Sequence, residues 1–209
     1  MQLTKYAHSC LRLEHDGGVL VVDPGVVSEP AALDGVDAVL ITHEHPDHVD
    51  VDALTRALDR RPFTVTGPAS LAGVLGDAAE VLTVVAPGET FTAAGMAVRA
   101  YGGRHAVIHP DIPVIENLGY LFNDVVYHPG DSLVVPDEVQ VDTLFAPIHA
   151  PWSKFSEVLD FIRAVAPRRA YALHDGYLND NGLAVLDRQY TALSGTDYRR
   201  LEPGSRIDA

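Results

Sequence analysis

The run Ala38-Val39-Leu40-Ile41-Thr42 has neither charge nor alternation, and it leads directly into His43-Glu44-His45-Pro46-Asp47-His48. A segment with no polar face reads as a strand covered on both sides, deep in a sheet with further layers above and below it. The hexapeptide that follows offers imidazole nitrogen or carboxylate oxygen from four of its residues, donors suited to a borderline-hard metal. In an extended segment His43 and His45 project to the same side. Pro46 lacks a backbone donor and biases His45 away from helical geometry, so this is not the helical face of an HExxH protease. The position of that motif's second histidine is held by Asp47. What remains is a tight turn with two donor pairs, His43 with His45 and Asp47 with His48, which suits two adjacent metal ions better than one. A polar surface loop, with Asp47 and Asp50 only capping the next helix, is the alternative reading. It would suffice for a lone histidine, but three histidines and an aspartate in six residues favour metal binding.

Ten histidines stand against a single cysteine, Cys10. One thiol excludes an intramolecular disulfide framework and a thiolate-rich zinc cage, so a metal here must sit on nitrogen and oxygen. Fifteen Lys and Arg against 29 Asp and Glu leave a formal charge of −14, with the basic residues scattered. Such a surface repels a phosphate backbone, which argues against generic nucleic-acid binding. No apolar run approaches the roughly 18 residues of a membrane span. Residues 1–20 are broken by Lys5, Arg12, Glu14 and Asp16, unlike a secretory signal, so the expected location is the cytoplasm. Nothing in the pattern specifies an oligomeric state.

The length of 209 residues fits one large domain or two small ones. Without repeats, low-complexity tracts or a linker, one domain over residues 1–209 is expected. Strands are predicted at 2–6, 10–13 and 19–22, the last after an Asp16-Gly17-Gly18 turn, then at 38–42. A helix over 51–60 follows, with Asp50 as N-cap and Val51, Leu54 and Leu58 on one face. Strands near 63–66, 81–85, 91–92, 96–101, 118–122, 125–127, 143–146 and 170–173 alternate with helices near 68–75, 155–166 and 183–193. Both halves run from strands into strand–helix units, which points to two packed sheets with helices outside. Residues 102–116, rich in Gly, His and Pro, are the longest aperiodic stretch, of a size usually functional or mobile.

The His-x-His-x-Asp-His run after an apolar strand resembles the signature of the metallo-β-lactamase fold superfamily. Its members are α+β proteins, four-layer αββα sandwiches with a one- or two-metal site at the edge of the sheets. The family pattern continues with a third histidine, a bridging aspartate and a last histidine, each at a strand end. This chain has His105 in Gly102-Gly103-Arg104-His105, Asp131 in His128-Pro129-Gly130-Asp131-Ser132 and His174 in Leu173-His174-Asp175-Gly176, in that order. The resemblance, which covers nearly the whole chain, implies that His43, His45 and His105 hold a first metal. Asp47, His48 and His174 would hold a second, with Asp131 bridging. The third histidine departs from the Thr-Pro-Gly-His-Thr of lactamases, glyoxalases and many thioesterase-like members. Tyr6-Ala7-His8-Ser9-Cys10 and Val21-Val22-Asp23-Pro24-Gly25 are instead similar to the branch of ascorbate-phosphate lactonases and phospholipase-D-type phosphodiesterases. The chain is shorter than the family's RNA-processing nucleases, which carry an inserted domain.

The resemblance thus implies a metal-dependent hydrolase with two divalent ions, zinc first and manganese, iron or nickel as alternatives. Such a pair activates water against a small ester, lactone or phosphoester. Asp47 would also orient that water or take its proton. His149, after an apolar strand, is a candidate general acid or substrate contact, with a hydrogen-bonded loop residue as the equal alternative. His8 and Asp23 are candidates for fixing imidazole tautomers. Arg104 and His109 lie in the long loop, where an anionic substrate could meet them, but they read better as solvated. Residues 177–181, just after His174, could border the metal mouth. Cys10 reads as core rather than nucleophile, and Trp152, Phe155 and Phe161 fit helix packing. His15 and His128 show no pattern that separates them from surface histidines. Two other readings of the same donors stand beside hydrolysis: an iron-dependent oxidoreductase and a non-catalytic metal-binding protein.

Overall fold

In the computed structural model, which describes all 209 residues, the chain opens on a meander of β1 (Gln2–Lys5), β2 (Leu11–His15) and β3 (Gly18–Val22). Asp16 and Gly17 both take positive φ, 48° and 84°, the backbone that a tight two-residue hairpin needs. Strands β4 (Ala38–Leu40), β5 (Thr64–Gly67) and β6 (Leu82–Val84) then add in parallel, with helix α1 (Val51–Arg60) between the first two. The second sheet repeats this plan. Strands β7 (Thr90–Ala93), β8 (Met96–Gly102), β9 (Leu118–Phe122) and β10 (Val126–His128) pair antiparallel. They are followed in parallel by β11 (Thr143–Pro147), β12 (Arg169–Leu173) and β13 (Asp197–Arg199), with α2 (Phe155–Val165) and α3 (Asp180–Leu193) as crossovers. Strand β14 (Ser205–Asp208) returns to pair antiparallel with β1, so each sheet has seven strands.

The apolar run of β4 divides its side chains as expected of a doubly covered strand. Ala38 and Leu40 enter the gap between the sheets with Leu11, Leu20, Tyr120 and Phe122. Val39 and Ile41 point outward, against Leu54 of α1 and Leu71. On the far side Val158, Phe161 and Ile162 of α2 and Tyr190 of α3 cover Leu144, Ala146 and Ala170. Helix, sheet, sheet and helix are therefore stacked over three apolar layers, the α+β sandwich that the sequence suggests. Each fully covered Leu or Ile contributes about 1.5–3 kcal/mol to holding these layers together. Helix α1 starts where Asp50 accepts a hydrogen bond from the Ala53 amide at 2.9 Å. It stops at Arg61, whose position before Pro62 disfavours helical backbone.

Several elements differ from expectation. The stretch near 68–75 holds only a 3-10 turn, Ala69–Gly73. Helix α3 begins at Asp180 rather than 183, because the Asn179 side chain accepts from Gly182 N at 3.0 Å and caps it. Strands β13 and β14 were not foreseen, being short and partly exposed at sheet edges. Residues 103–117 carry no strand or helix. No helix is long and apolar enough to cross a membrane.

Strand direction places the chemistry. Because β2 runs against β1 and β3, the carboxyl ends of β1, β3 and β4 share one edge of the first sheet. By the same logic β8, β10 and β12 end at one edge of the second. These edges are joined where Leu118 N donates to Thr42 O at 2.9 Å and Tyr120 Oη to Ile41 O at 2.9 Å.

Candidate metal centre

Beyond β4 the chain turns sharply, with His48 N and Val49 N both donating to His45 O, at 2.9 and 3.1 Å. A second loop braces this turn, since Val26 N donates to Pro46 O and Asp50 N to Pro24 O, each at 2.9 Å. The approach is so close that a Cβ on Gly25 would lie 1.9 Å from Asp47 O, which explains the glycine. Asp23, with φ 49°, turns its carboxylate back under the cluster.

Hydrogen bonds then determine which nitrogen of each ring faces inward. Asp23 Oδ1 accepts from Thr42 N at 2.8 Å, while Oδ2 accepts from Thr42 Oγ1 and from His48 Nδ1, both at 2.7 Å. Having spent its proton on Asp23, the Thr42 hydroxyl accepts from His43 Nδ1 at 3.0 Å. His105 Nδ1 donates to Ala106 O at 2.5 Å, and His174 Nδ1 to His149 O at 2.7 Å. In all four rings Nδ1 carries a proton that is bonded away from the centre, and Nε2 points into it.

Those Nε2 atoms converge on carboxylates. Asp131 Oδ1 lies 3.2 Å from His48 Nε2, and its Oδ2 lies 3.4 Å from His105 Nε2 and 3.2 Å from His174 Nε2. His174 Nε2 is also 3.5 Å from Asp47 Oδ2, and His43 Nε2 is 3.1 Å from His45 Nδ1. His48, His105 and His174 Nε2 and Asp131 Oδ1 are buried without a hydrogen-bond partner. Lone pairs facing one another in a dry interior are costly unless a proton or a cation lies between them. The residues present therefore fit divalent metal. Donor atoms of His43, His45 and His105 lie within 4.8 Å of one another, as do those of His8, Asp47, His48 and His174, and those of His43, His48 and Asp131.

Electrostatics agree. Burial alone would depress the imidazolium of His48, but the Asp131 and Asp23 carboxylates outweigh it and raise its pKa well above the ordinary histidine value. His174 behaves alike, burial being overcome by Asp131 and Asp47 to give a pKa raised to about 9. Burial raises the Asp131 carboxyl, yet His48 and His174 hold it well below the usual range. His43, buried with His48 beside it, is lowered instead. A metal-free centre thus retains protons where it would otherwise hold positive ions.

The second sheet supplies its share through a tight turn after β10. Asn117 is fully buried; its Oδ1 accepts from Asp131 N at 2.9 Å and its Nδ2 donates to Pro129 O at 3.0 Å. Trp152 is nearly buried and donates Nε1–H to Asp131 Oδ2 at 2.9 Å, with its ring edge-on to His105. This corrects its reading as helix packing: the indole holds the central carboxylate. His128, indistinct in sequence, is fully buried, with Nε2 donating to Ser9 O at 2.9 Å and Nδ1 accepting from Gly130 N at 3.2 Å. Cys10 is core, and burial pushes its thiol up to about 12. His149 orients His174 through its carbonyl, while its own side chain is exposed. Tyr177 is 59% exposed, yet it packs against the His8 ring, so residues 177–181 do begin beside the cluster. Arg104 and His109 are exposed, and His109 Nδ1 accepts only from Asp111 N, at 3.2 Å. His15, on β2, lies near Asp16 at 3.6 Å and outside the cluster.

Comparison with known proteins agrees with this architecture. The family model of the Beta-lactamase superfamily domain matches residues 2–174. Protein Rv0786c of Mycobacterium tuberculosis is 41% identical over 214 aligned residues, covering 99% of each chain. A UPF0173 metal-dependent hydrolase of Ruegeria pomeroyi is 30% identical over 154 residues, 66% of each. Among solved structures, Igni18, a metallo hydrolase of Ignicoccus hospitalis, superposes with a TM-score of 0.76 at 19% identity, covering 99% of this chain and 97% of that one. At that identity the likeness speaks for the fold. The chain belongs to the beta-lactamase superfamily, and its αββα sandwich is the metallo-β-lactamase fold.

Proposed function

We propose that this metal-dependent hydrolase works with two divalent ions, held by His43, His45 and His105 on one side and by Asp47, His48 and His174 on the other, with Asp131 between them. One observation carries the reading: side chains from both sheets converge on Asp131, and the buried Nε2 atoms of His48, His105 and His174 that face it have no hydrogen-bond partner. Zinc is the first candidate, with manganese, iron and nickel compatible with the same nitrogen and oxygen donors. When bound, such a pair supplies ionised water near neutral pH and polarises the bond under attack.

The chain's own residues do the rest. Asp47 is half-buried, with Oδ2 facing His174 and His8, so its carboxylate is positioned to receive a proton from attacking water. Trp152 and Asn117 hold Asp131 from both ends, and Asp23 holds His48, so the ligands need not reorganise. His149 keeps an exposed ring on the residue that braces His174, and we assign it the proton that a leaving group needs. The substrate is a small ester, lactone or phosphoester.

Chromogenic esters, lactones and phosphodiesters, offered to zinc- or manganese-loaded protein with and without oxygen, test the reading. Turnover indifferent to oxygen, abolished by chelation and absent in a folded His48→Ala variant, is expected. Wild-type rates in that variant would refute the assignment. Turnover that requires oxygen and iron would identify an oxidoreductase instead.

A further inference from the structure

His8 lies among the second group of donors, within 4.8 Å of those of Asp47, His48 and His174, and by distance alone it would count as a ligand. Its hydrogen bonds say otherwise. Gly176 N–H donates to His8 Nδ1 at 3.1 Å, and a backbone amide can only donate. Nδ1 is therefore the acceptor, and the ring proton sits on Nε2. That Nε2 lies 3.2 Å from Asp47 Oδ2, an acceptor. The order is the reverse of His43, His48, His105 and His174, whose Nδ1 atoms all donate away from the centre.

The backbone is built to hold this ring. His8 has φ 60°, in the left-handed region that non-glycine residues rarely occupy. Its carbonyl accepts from the buried Lys5 Nζ at 2.7 Å and from His174 N at 3.3 Å. Gly176 lets the donating amide come near, for a Cβ there would lie 2.8 Å from Val27 Cγ1 and 3.0 Å from His8 Cβ. The His174 ring closes the other side, with ring centroids 4.0 Å apart.

We propose that His8 is not a fourth ligand but a positioning residue, which donates its Nε2 proton to Asp47 and so sets the affinity of the second ion position. This rests on the two-ion reading above, and the test separates the two. Full-length wild type, His8→Ala, His8→Gln and His8→Glu are titrated with Zn²⁺ against a chromophoric chelator, and folding is followed by circular dichroism. Gln can accept from Gly176 and still donate to Asp47, whereas Glu has the same shape and no proton to give. Wild type is expected to take two ions. His8→Ala and His8→Glu are expected to weaken the second by about 10–100-fold and the first by less than about threefold, with His8→Gln close to wild type. Loss in His8→Gln equal to that in His8→Ala, or wild-type uptake by His8→Glu, overturns the proposal. Fewer than two ions in wild type overturns the two-ion reading itself. Should His8→Ala not fold, the Gln and Glu pair decides. Nitrogen-15 spectra of histidine-labelled wild type give a further readout: Nε2 of His8 stays protonated on zinc loading, and a zinc-ligated Nε2 would refute the idea.

Discussion

Asp23 touches no expected metal position, yet replacing it with Asn should disable one. Thr42 N–H can only donate, so it keeps the Asn oxygen at the Oδ1 position, 2.8 Å away. The amide NH₂ must then occupy the Oδ2 position, 2.7 Å from His48 Nδ1. It donates to Nδ1 and drives the imidazole proton to Nε2, where a lone pair is needed. Perturbing a partner of this kind costs about 10–100-fold in metal affinity, about 1.4–2.8 kcal/mol. Charge-assisted hydrogen bonds from His48 and Thr42 Oγ1 are lost as well. Metal-free stability should fall by about 3 kcal/mol, or roughly 6–12 °C in Tm. Asp23→Ala removes all three bonds and is the less stable variant, but it leaves His48 able to choose its tautomer. The expected signature is a crossing: Asp23→Asn melts above Asp23→Ala but binds the second Zn²⁺ more weakly. Zinc competition titrations and melts of the chelated proteins measure both. An Asp23→Asn variant that binds zinc as tightly as wild type, or more tightly than Asp23→Ala, refutes the tautomer argument.

In the metal-free protein His174 is raised to about 9 by Asp131 and Asp47 against burial, above the roughly 6.5 of an unfolded histidine. Its stabilisation is complete below pH 6.5 and lost as pH rises through 9, so the chelated protein's Tm should fall over that interval while apparent zinc affinity rises. A chelated Tm that climbs from pH 7 to 9 would contradict this. Trp152, the single tryptophan, has its ring 6.1 Å from that of His105, so Co²⁺ should quench intrinsic fluorescence saturably. Trp152→Phe should lower kcat/KM by about 10-fold through the lost bond to Asp131, and unchanged kinetics would remove the indole from the site. Gly25→Ala drives a methyl into Asp47 O and should cost about 1–3 kcal/mol, read by urea denaturation, together with zinc uptake at the second position.

The candidate site was legible in the sequence wherever its donors were dense or ended an apolar run. His43 to His48 stood out by themselves, and His105, Asp131 and His174 acquired meaning only as an ordered series. Helix α1 was legible because its cap, its apolar spacing and the following proline are all local. Trp152 was misread because its neighbours Phe155 and Phe161 do pack in a helix layer, while its own partner Asp131 lies 21 residues back in the chain. His128 failed for the same reason, with Ser9 O 119 residues away. Strand β14 is a short, half-polar strip that becomes a strand only because β1 offers it an edge. His8 needed the amide of Gly176, which no spacing rule connects to it.

The two sheets are bonded directly at the rim that carries the histidine cluster, among other places where Leu118 donates to Thr42 and Tyr120 to Ile41. With the proposed ligands drawn from both sides of that line, a filled centre would act as a rivet. At a thousand times Kd, metal adds about 4 kcal/mol to the folded state. Chelation would unfasten the rim before the distant ends of the strands, so backbone amide exchange should quicken first around Thr42 and Leu118. Heat tolerance and catalytic competence would then rise and fall as one quantity, set by how much metal the protein's surroundings provide.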